Sequence, residues 1–524
     1  MTEPHTAPRP DAGARPPGAA FRTTLFALLF ALAAMAFVHT LTYQPDADFS
    51  CDGPYHVGMA DLLPQAALGK TFPWTRLSIW REVFYDKELG FHILLLSVRR
   101  WAGMFGYTGS PPFLLETFFL VTLWLGVFWW CLARLGVSRP ALFLPAVLLL
   151  SPLFTDRINL VRPHVIAIAL LLVVAALLCR PPARGGRLPW LFGLGFALAY
   201  FHSNPHFILL PTGLYALLRL RDDRWHALTV PAVAVAGVGA GLLIHPQFPN
   251  TFLLWKIQCI DVPLHFLHGS ASDLSSPAEI FAPSFACLAT NGLVFLPPLV
   301  VIVMLQRRRA WRDVGLPLQF FLLLSIVACV GFVLSKRAIE YAWPFSVILA
   351  ALAYEEWTRQ RSARFHVAVF AGVLALCLAF LPLQLRQFGA PRLPMPRPFA
   401  AWARANLPQG TYIANLYWED FPRLFYTAPD YVYSCGLDSM FGYAAEGERY
   451  VRIDALCRGT AEFPAPGELK ELLGTDLVFL YCNHAHTARR MAERGYSLAY
   501  QGLDGWVFNL AAPLVDHRLN PAAP

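Results

Sequence analysis

Charged side chains are scarce in this chain: Asp, Glu, Lys and Arg make up 15% of its 524 residues, against 56% hydrophobic. A soluble globular domain carries about 25% charge, so the scarcity excludes a chain whose main solvent is water. Cysteine pairing is missing too. The ten cysteines are scattered with no Cys-x-x-Cys spacing, which removes zinc-cluster and redox-motif readings. No repeat of fixed period is visible, whereas many secondary transporters are built from repeated halves. The net charge of +8 is not gathered into a basic stripe with interleaved aromatics, so no nucleic-acid partner is expected.

What the chain has instead is long apolar runs. Eleven read as membrane spans: Phe21–Leu41, Phe113–Ala133, Ala141–Phe154, Val165–Cys179, Leu188–Phe201, Phe207–Leu218, Ala227–Ile244, Phe285–Leu305, Leu316–Leu334, Tyr341–Trp357 and Phe365–Leu383. Arg is concentrated in the gaps Ala133–Pro140, Arg180–Arg187, Arg219–Arg224, Gln306–Asp313 and Thr358–Arg364, and the positive-inside bias puts these in the cytoplasm. The alternate gaps, around Asp156, His202, Lys256 and Lys336, then lie outside. The leader Met1–Ala20, rich in Pro, Ala and Arg, reads as a disordered cytoplasmic tail, and Phe21–Leu41 as an uncleaved first span. Phe91–Val98 is apolar but too short to cross, and Arg99 and Arg100 follow it directly. Leu89–Phe105 is therefore expected as an amphipathic helix on the outer surface, inside a large first external loop over residues 42–112.

After Leu383 charge returns. Strand-like runs (Tyr412–Ala414, Tyr431–Ser434, Leu477–Tyr481, Trp506–Asn509) alternate with helical patterns (Phe399–Asn406, Gly447–Cys457, Pro466–Leu473, Ala485–Arg494). The expected fold is mainly α: a polytopic helical bundle over residues 21–383 with a soluble exoplasmic α/β domain over residues 384–524. One disulfide among Cys435, Cys457 and Cys482 is compatible with that compartment.

Polar residues concentrate in the first external loop, at Asp46, Asp48, Asp52, Tyr55, His56 and Asp61. A carboxylate just after a span, in a water-poor cleft, gains basicity and can deprotonate a hydroxyl, which makes Asp52 the candidate base. The competing reading is that Asp52 caps a helix over Tyr55–Leu63, with Pro54 near its first turn. A second external gap runs from Asp156 through Arg157 and Arg162 to His164. Two arginines outside, against the charge bias, suit an anionic partner, since guanidinium binds phosphate through a bidentate fork. Anchoring of a helix end to headgroups is the other reading. Lys336, Arg337 and Glu340 repeat the pattern beside Trp343 and Pro344. Tyr55, His56, Asp156, Arg157, Arg162, His164, Lys336, Arg337 and Glu340 are accordingly the candidate substrate-binding residues. His202, His206, His245, His265 and His268 also collect in external gaps. They lack a carboxylate at helical spacing, so no metal ligand is assigned, and a divalent metal stays open as a cofactor.

This arrangement resembles the GT-C superfamily of membrane glycosyltransferases. The resemblance covers the first span, an acidic residue just after it, surface helices in a large first external loop, many further spans and a terminal exoplasmic domain. It is the layout of oligosaccharyltransferase catalytic subunits, protein O-mannosyltransferases and aminoarabinose transferases. Asp52-Gly53-Pro54-Tyr55-His56 is similar to the acidic-x-x-Tyr motif of that loop. Phe72-Pro73-Trp74 and Asp86-Lys87-Glu88-Leu89-Gly90-Phe91-His92 resemble its continuation into the second surface helix. The resemblance implies Asp52 as the base and Arg157, Arg162 and Arg337 facing a lipid phosphate. Two departures stand out. The terminal domain has no WWD-type motif, only a faint echo in Trp418-Glu419-Asp420, and the second external gap has the single carboxylate Asp156 rather than an acidic pair. What is implied is sugar transfer from a polyprenyl-phosphate donor to an exoplasmic acceptor at the inner (plasma) membrane, inverting if one carboxylate activates the hydroxyl for in-line attack. A transporter or flippase of lipid-linked saccharides and a non-catalytic envelope assembly protein are the rival readings.

Overall fold

The computed structural model of the chain describes residues 17–47, 52–64, 69–181, 186–262, 264, 274–275, 277–308 and 314–511. The expected tail up to residue 16, Asp48, the pair His265 and His268, and parts of two Arg-rich gaps (182–185 and 309–313) lie outside these.

Five helices are long and apolar enough to cross a membrane: Phe21–Leu41, Leu114–Arg134, Arg224–Ile244, Leu316–Leu334 and Ala363–Phe388. A sixth crossing results if the bent pair Pro140–Leu149 and Pro152–Ile158 counts as one. With no water in a bilayer core, only a helix satisfies every backbone group within one segment, and these Leu-, Val- and Ala-rich runs comply. The chain is an integral membrane protein. Other expected spans form shorter helices, His164–Cys179 and Leu188–Phe201 among them.

Two expected spans are broken, and the breaks meet at Asn291. The run expected as Ala141–Phe154 turns by 92° before Pro152, where proline at the first helical position and Ser151 as its cap start a new helix. Three carbonyls freed at the bend find side-chain donors: Trp343 Nε1 to Val147 O at 2.7 Å, Thr155 Oγ1 to Leu148 O, and Gln384 Nε2 to Leu149 O at 2.9 Å. The run expected as Phe285–Leu305 breaks at Asn291, between the helices Phe285–Thr290 and Leu296–Arg308. Asn291 Oδ1 accepts from Ser151 Oγ at 2.7 Å and from Leu153 N–H at 3.1 Å. Asn291 at the second break thus holds the first turn of the short helix beyond the bend, the helix that carries Arg157.

The helix expected on the outer surface forms over Leu89–Gly103, burying Leu89, Phe91, His92, Leu95, Val98 and Ala102 while Ile93 and Trp101 stay exposed. It crosses close to the helix Leu188–Phe201. A Cβ on Gly90 would lie 2.9 Å from the Phe201 ring and 3.0 Å from Tyr200 O, so only glycine permits the approach.

The C-terminal residues build a four-stranded sheet of β1 (Ile413–Asn415), β2 (Leu477–Tyr481), β3 (Ser497–Gly502) and β4 (Gly505–Asn509), in the order β1-β2-β4-β3. β1 and β2 pair in parallel, and the other two pairs are antiparallel. The expected strand Tyr431–Ser434 pairs instead through isolated bridges, with Thr75 of the first loop and with Tyr412. There Arg76 N–H donates to Tyr433 O at 2.7 Å, and Leu77 N–H to Ser434 O at 2.8 Å. Tyr55, Phe72 and Trp74 pack their rings against Phe425, and Trp80 against Phe441. The loop and the C-terminal region therefore share one apolar core. Cys435, Cys457 and Cys482 are all free thiols; Cys435 is buried and Cys457 Sγ donates to Leu416 O and Ile453 O.

Candidate active site

A polar cavity of about 350 Å³ opens where the helix Gly53–Leu62, the turn at Lys87 and Glu88, the segment Arg162–His164, the loop around Glu279, Arg337 and the C-terminal residues Trp418, Glu419 and Asp438 converge. Its size falls within the ~300–1,000 Å³ usual for small-molecule sites. Two larger grooves, of about 740 and 750 Å³, are lined mainly by apolar side chains such as Trp130 and Phe370. They offer burial without convergent polar groups, so the chemistry is sought in the smaller, polar space.

Asp52 precedes the helix Gly53–Leu62, yet its side chain makes no capping hydrogen bond. Its Oδ2 meets Arg162 Nη2 at 2.7 Å instead. Capping is therefore not what holds it. Arg162 Nη1 also reaches Glu279 Oε2 at 3.3 Å, and Arg337 Nη1 lies 3.4 Å from Glu279 Oε1. Behind them Arg157 pairs with Glu279 and, through Nε, with Glu340 Oε1 at 2.6 Å, both Arg157 and Glu340 being buried. Glu279 is fixed through its backbone, its carbonyl accepting from Arg337 N–H at 3.0 Å. Burial alone would raise its pKa. Arg162, Arg337 and Arg157 outweigh burial and hold the carboxyl well below its usual range. One carboxylate thus gathers three guanidinium groups from two distant parts of the chain.

On the opposite wall, Lys87 Nζ donates to Gln258 Oε1 at 3.0 Å. Its neighbour Glu88 is buried, with one carboxylate oxygen lacking a hydrogen-bond partner among the described residues. Burial pushes the Glu88 pKa up to about 7; Lys87 and His92 pull against this, while Asp86 and Asp52 add to it. A carboxyl with a raised folded-state pKa binds its proton more tightly folded than unfolded between about pH 4.5 and 7, so stability falls as pH rises through that window. The contribution is read against Glu88→Gln: from about pH 5 to about pH 8 the melting temperature of the parent in detergent is expected to fall relative to that of the variant. An unchanged slope in the variant would remove Glu88 as a cause.

The structure brings Asp52, His56, Arg162, His164 and Arg337 to the cavity wall, with Arg157 and Glu340 directly behind. Three other candidates sit elsewhere. Tyr55 is 1% exposed, wedged among Trp80, Phe421 and Phe425, because its helix turns that face into the aromatic core. Asp156 faces Arg392 at 3.5 Å. Lys336 lies outside the cavity wall, its backbone N–H donating to Phe281 O. The acidic cluster of the first loop disperses: Asp61 takes two hydrogen bonds from Arg99, and Asp46 pairs with Arg397 at 2.6 Å. Glu279 and Asp438 line the cavity without having been named from the sequence, and Lys87, Glu88, His202 and Glu419, named there among motifs and external histidines, line it without having been given a substrate-binding role. Among the described residues no group of three or more His, Cys, Asp or Glu is arranged to hold a metal ion.

No protein-family model matches this chain, and no curated protein matches it in sequence. Solved structures match it in fold. The apo oligosaccharyltransferase of Archaeoglobus fulgidus aligns with a TM-score of 0.61 at 11% identity, over 94% of this chain and 74% of that one. The oligosaccharyltransferase AglB of the same organism, in complex with an inhibitory peptide and a dolichol-phosphate, gives 0.57 at 12% identity, over 96% and 75%. ArnT from Cupriavidus metallidurans, bound to undecaprenyl phosphate, gives 0.56 at 16% identity, over 94% and 100%. The chain has the GT-C fold that these proteins share.

Proposed function

We propose that this protein is a membrane glycosyltransferase that moves a sugar from a polyprenyl-phosphate-linked donor to an acceptor hydroxyl on the exoplasmic face. The observation that carries the reading is the convergence of Asp52, Arg162 and Arg337, from distant parts of the chain, with Lys87 in one polar cavity. Two proteins of the same fold hold a dolichol-phosphate and undecaprenyl phosphate, which supports a donor of that class. The charge bias of the gaps supports a cytoplasmic N-terminus, and with it a site and a C-terminal domain (residues 384–524) on the outer side of the inner membrane.

In this reading Arg337 is the main phosphate ligand. Its side chain is 37% exposed and, among the described residues, is paired only with Glu279, at 3.4 Å, which leaves donors facing the cavity. Lys87 and Arg162 supply further positive charge as the phosphate leaves. Asp52, oriented by Arg162, accepts the proton of the acceptor hydroxyl as the oxygen attacks the anomeric carbon. Attack from the face opposite the departing phosphate inverts that carbon. Trp418 and Glu419 form the C-terminal wall against which the transferred sugar and its acceptor rest.

The test is purified, reconstituted protein given a panel of radiolabelled undecaprenyl-phosphate hexoses and pentoses, with membrane extract as the acceptor source. One donor is expected to lose its sugar to the extract while undecaprenyl phosphate accumulates. If every labelled donor stays intact, the reading fails, and movement of intact donor across the bilayer would favour a flippase.

A further inference from the structure

The proposed transfer leaves a proton on Asp52, and a protonated Asp52 can neither pair with Arg162 nor start another turnover. We infer that His56 takes this proton, with His92 and Asp86 as positioning residues that hold its imidazole in the accepting tautomer. The inference rests on the transferase reading and adds to it a route for the proton.

His56 lies one helical turn beyond Asp52, and its N–H donates to Asp52 O at 3.1 Å. Residues four apart share a helix face, and both side chains line the cavity. Behind His56 runs a buried chain. His56 Nδ1 is 2.9 Å from His92 Nε2, and His92 Nδ1 is 2.8 Å from Asp86 Oδ2. The chain has a direction. A carboxylate only accepts, so His92 donates from Nδ1 to Asp86 and accepts at Nε2. His56 must then donate from Nδ1, which leaves the lone pair on its Nε2. No described residue bonds that nitrogen.

The bland alternative is a network that merely satisfies buried polar groups, as most do. Such a network would close on a partner at both ends; this one ends on the wall of the cavity. Its rings are also fixed. Tyr55 lies edge-on to both imidazoles, with centroids at 5.3 and 5.9 Å, and Phe91 lies edge-on to His56 at 5.4 Å. Burial first, then His92, Arg162, Lys87 and His164, lowers the His56 pKa well below its ordinary value. The imidazole is therefore neutral at rest, as a proton acceptor must be.

The protons and electron pairs balance. The acceptor O–H breaks, its proton goes to Asp52, the oxygen bonds the anomeric carbon, and the bond from that carbon to the phosphate oxygen breaks with its electrons on the phosphate. The Asp52 O–H then breaks and the proton lands on His56 Nε2, where the bonds through His92 to Asp86 stabilise the imidazolium. Water entering as products leave removes it.

The test uses the full-length protein and whichever undecaprenyl-phosphate sugar of the panel is consumed. His56→Ala is expected to lower kcat by about 10²-fold with KM within about twofold, the lower end of general acid–base contributions, and added imidazole to restore part of the rate. Asp86→Asn is expected to lower kcat by about tenfold, because an amide can donate to His92 and reverse both tautomers, while Asp86→Glu recovers part of the loss. His56→Gln, with its melting temperature, guards against a variant that fails to fold. His56→Ala turning over at the parent rate overturns the inference and leaves the transferase reading intact. So does a loss of kcat that imidazole does not relieve in a protein that melts like the parent. A parent that consumes no donor overturns both.

Discussion

Asp52→Asn is expected to lower kcat by about 10²–10⁴-fold while binding of undecaprenyl phosphate is kept. The amide fills the same volume, and its oxygen can still accept from Arg162 Nη2, which now sits 2.7 Å from Asp52 Oδ2. What it cannot do is take a proton. The loss of one negative charge from a cavity that already holds Glu88, Glu279, Glu419 and Asp438 favours an incoming phosphate, so donor affinity is expected to hold or rise. Single-turnover release of undecaprenyl phosphate separates the two effects. A variant that reacts within a few-fold of the parent would move the base elsewhere.

Arg157→Met is expected to cost about 3–5 kcal/mol of stability, the usual consequence of leaving a buried carboxylate without its cation. Glu340 is fully buried, its Oε2 has no hydrogen-bond partner among the described residues, and Arg157 is its main counter-charge. Combining Arg157→Met with Glu340→Gln is expected to restore much of the melting temperature, because neither charge then remains alone. The pair is a support for Glu279, not a phosphate ligand, so the double variant retains more activity than Asp52→Asn. Additive losses in the double variant would show that the two side chains do not act together.

The site was half visible in the sequence, and its charges explain why. Arg157, Arg162 and Arg337 stood out because cations in gaps that should lie outside break a strong bias. Glu279, which gathers all three, stood out in nothing: it is a lone acid in a loop of Ala and Pro, and only the question of what neutralises three guanidinium groups would have led to it. Lys87 and Glu88 lay within a stretch that resembled a known loop, but the burial that lifts the Glu88 pKa depends on distant chain. In the fold, lipid-facing runs were legible from their composition. The two breaks were overridden by it, although Ser151-Pro152 carries a helix-start signal and Asn291 is a polar residue within an apolar run. β3 was not expected, since Ser497–Gly502 contains no β-branched residue and pairs chiefly through its backbone with β4.

The pairing of residues 74–77 with 433–434, and the rings of Tyr55, Phe72, Trp74 and Trp80 against Phe425 and Phe441, set an order on biosynthesis. Their partners leave the ribosome some 350 residues later, which at roughly 5–20 residues per second means tens of seconds during which the nascent loop displays bare aromatic surface. The shared core cannot close until Phe425, Tyr433 and Phe441 have been made. Chains stalled before Phe421 would present quality-control proteases with that uncovered patch, a built-in signal that synthesis was not completed.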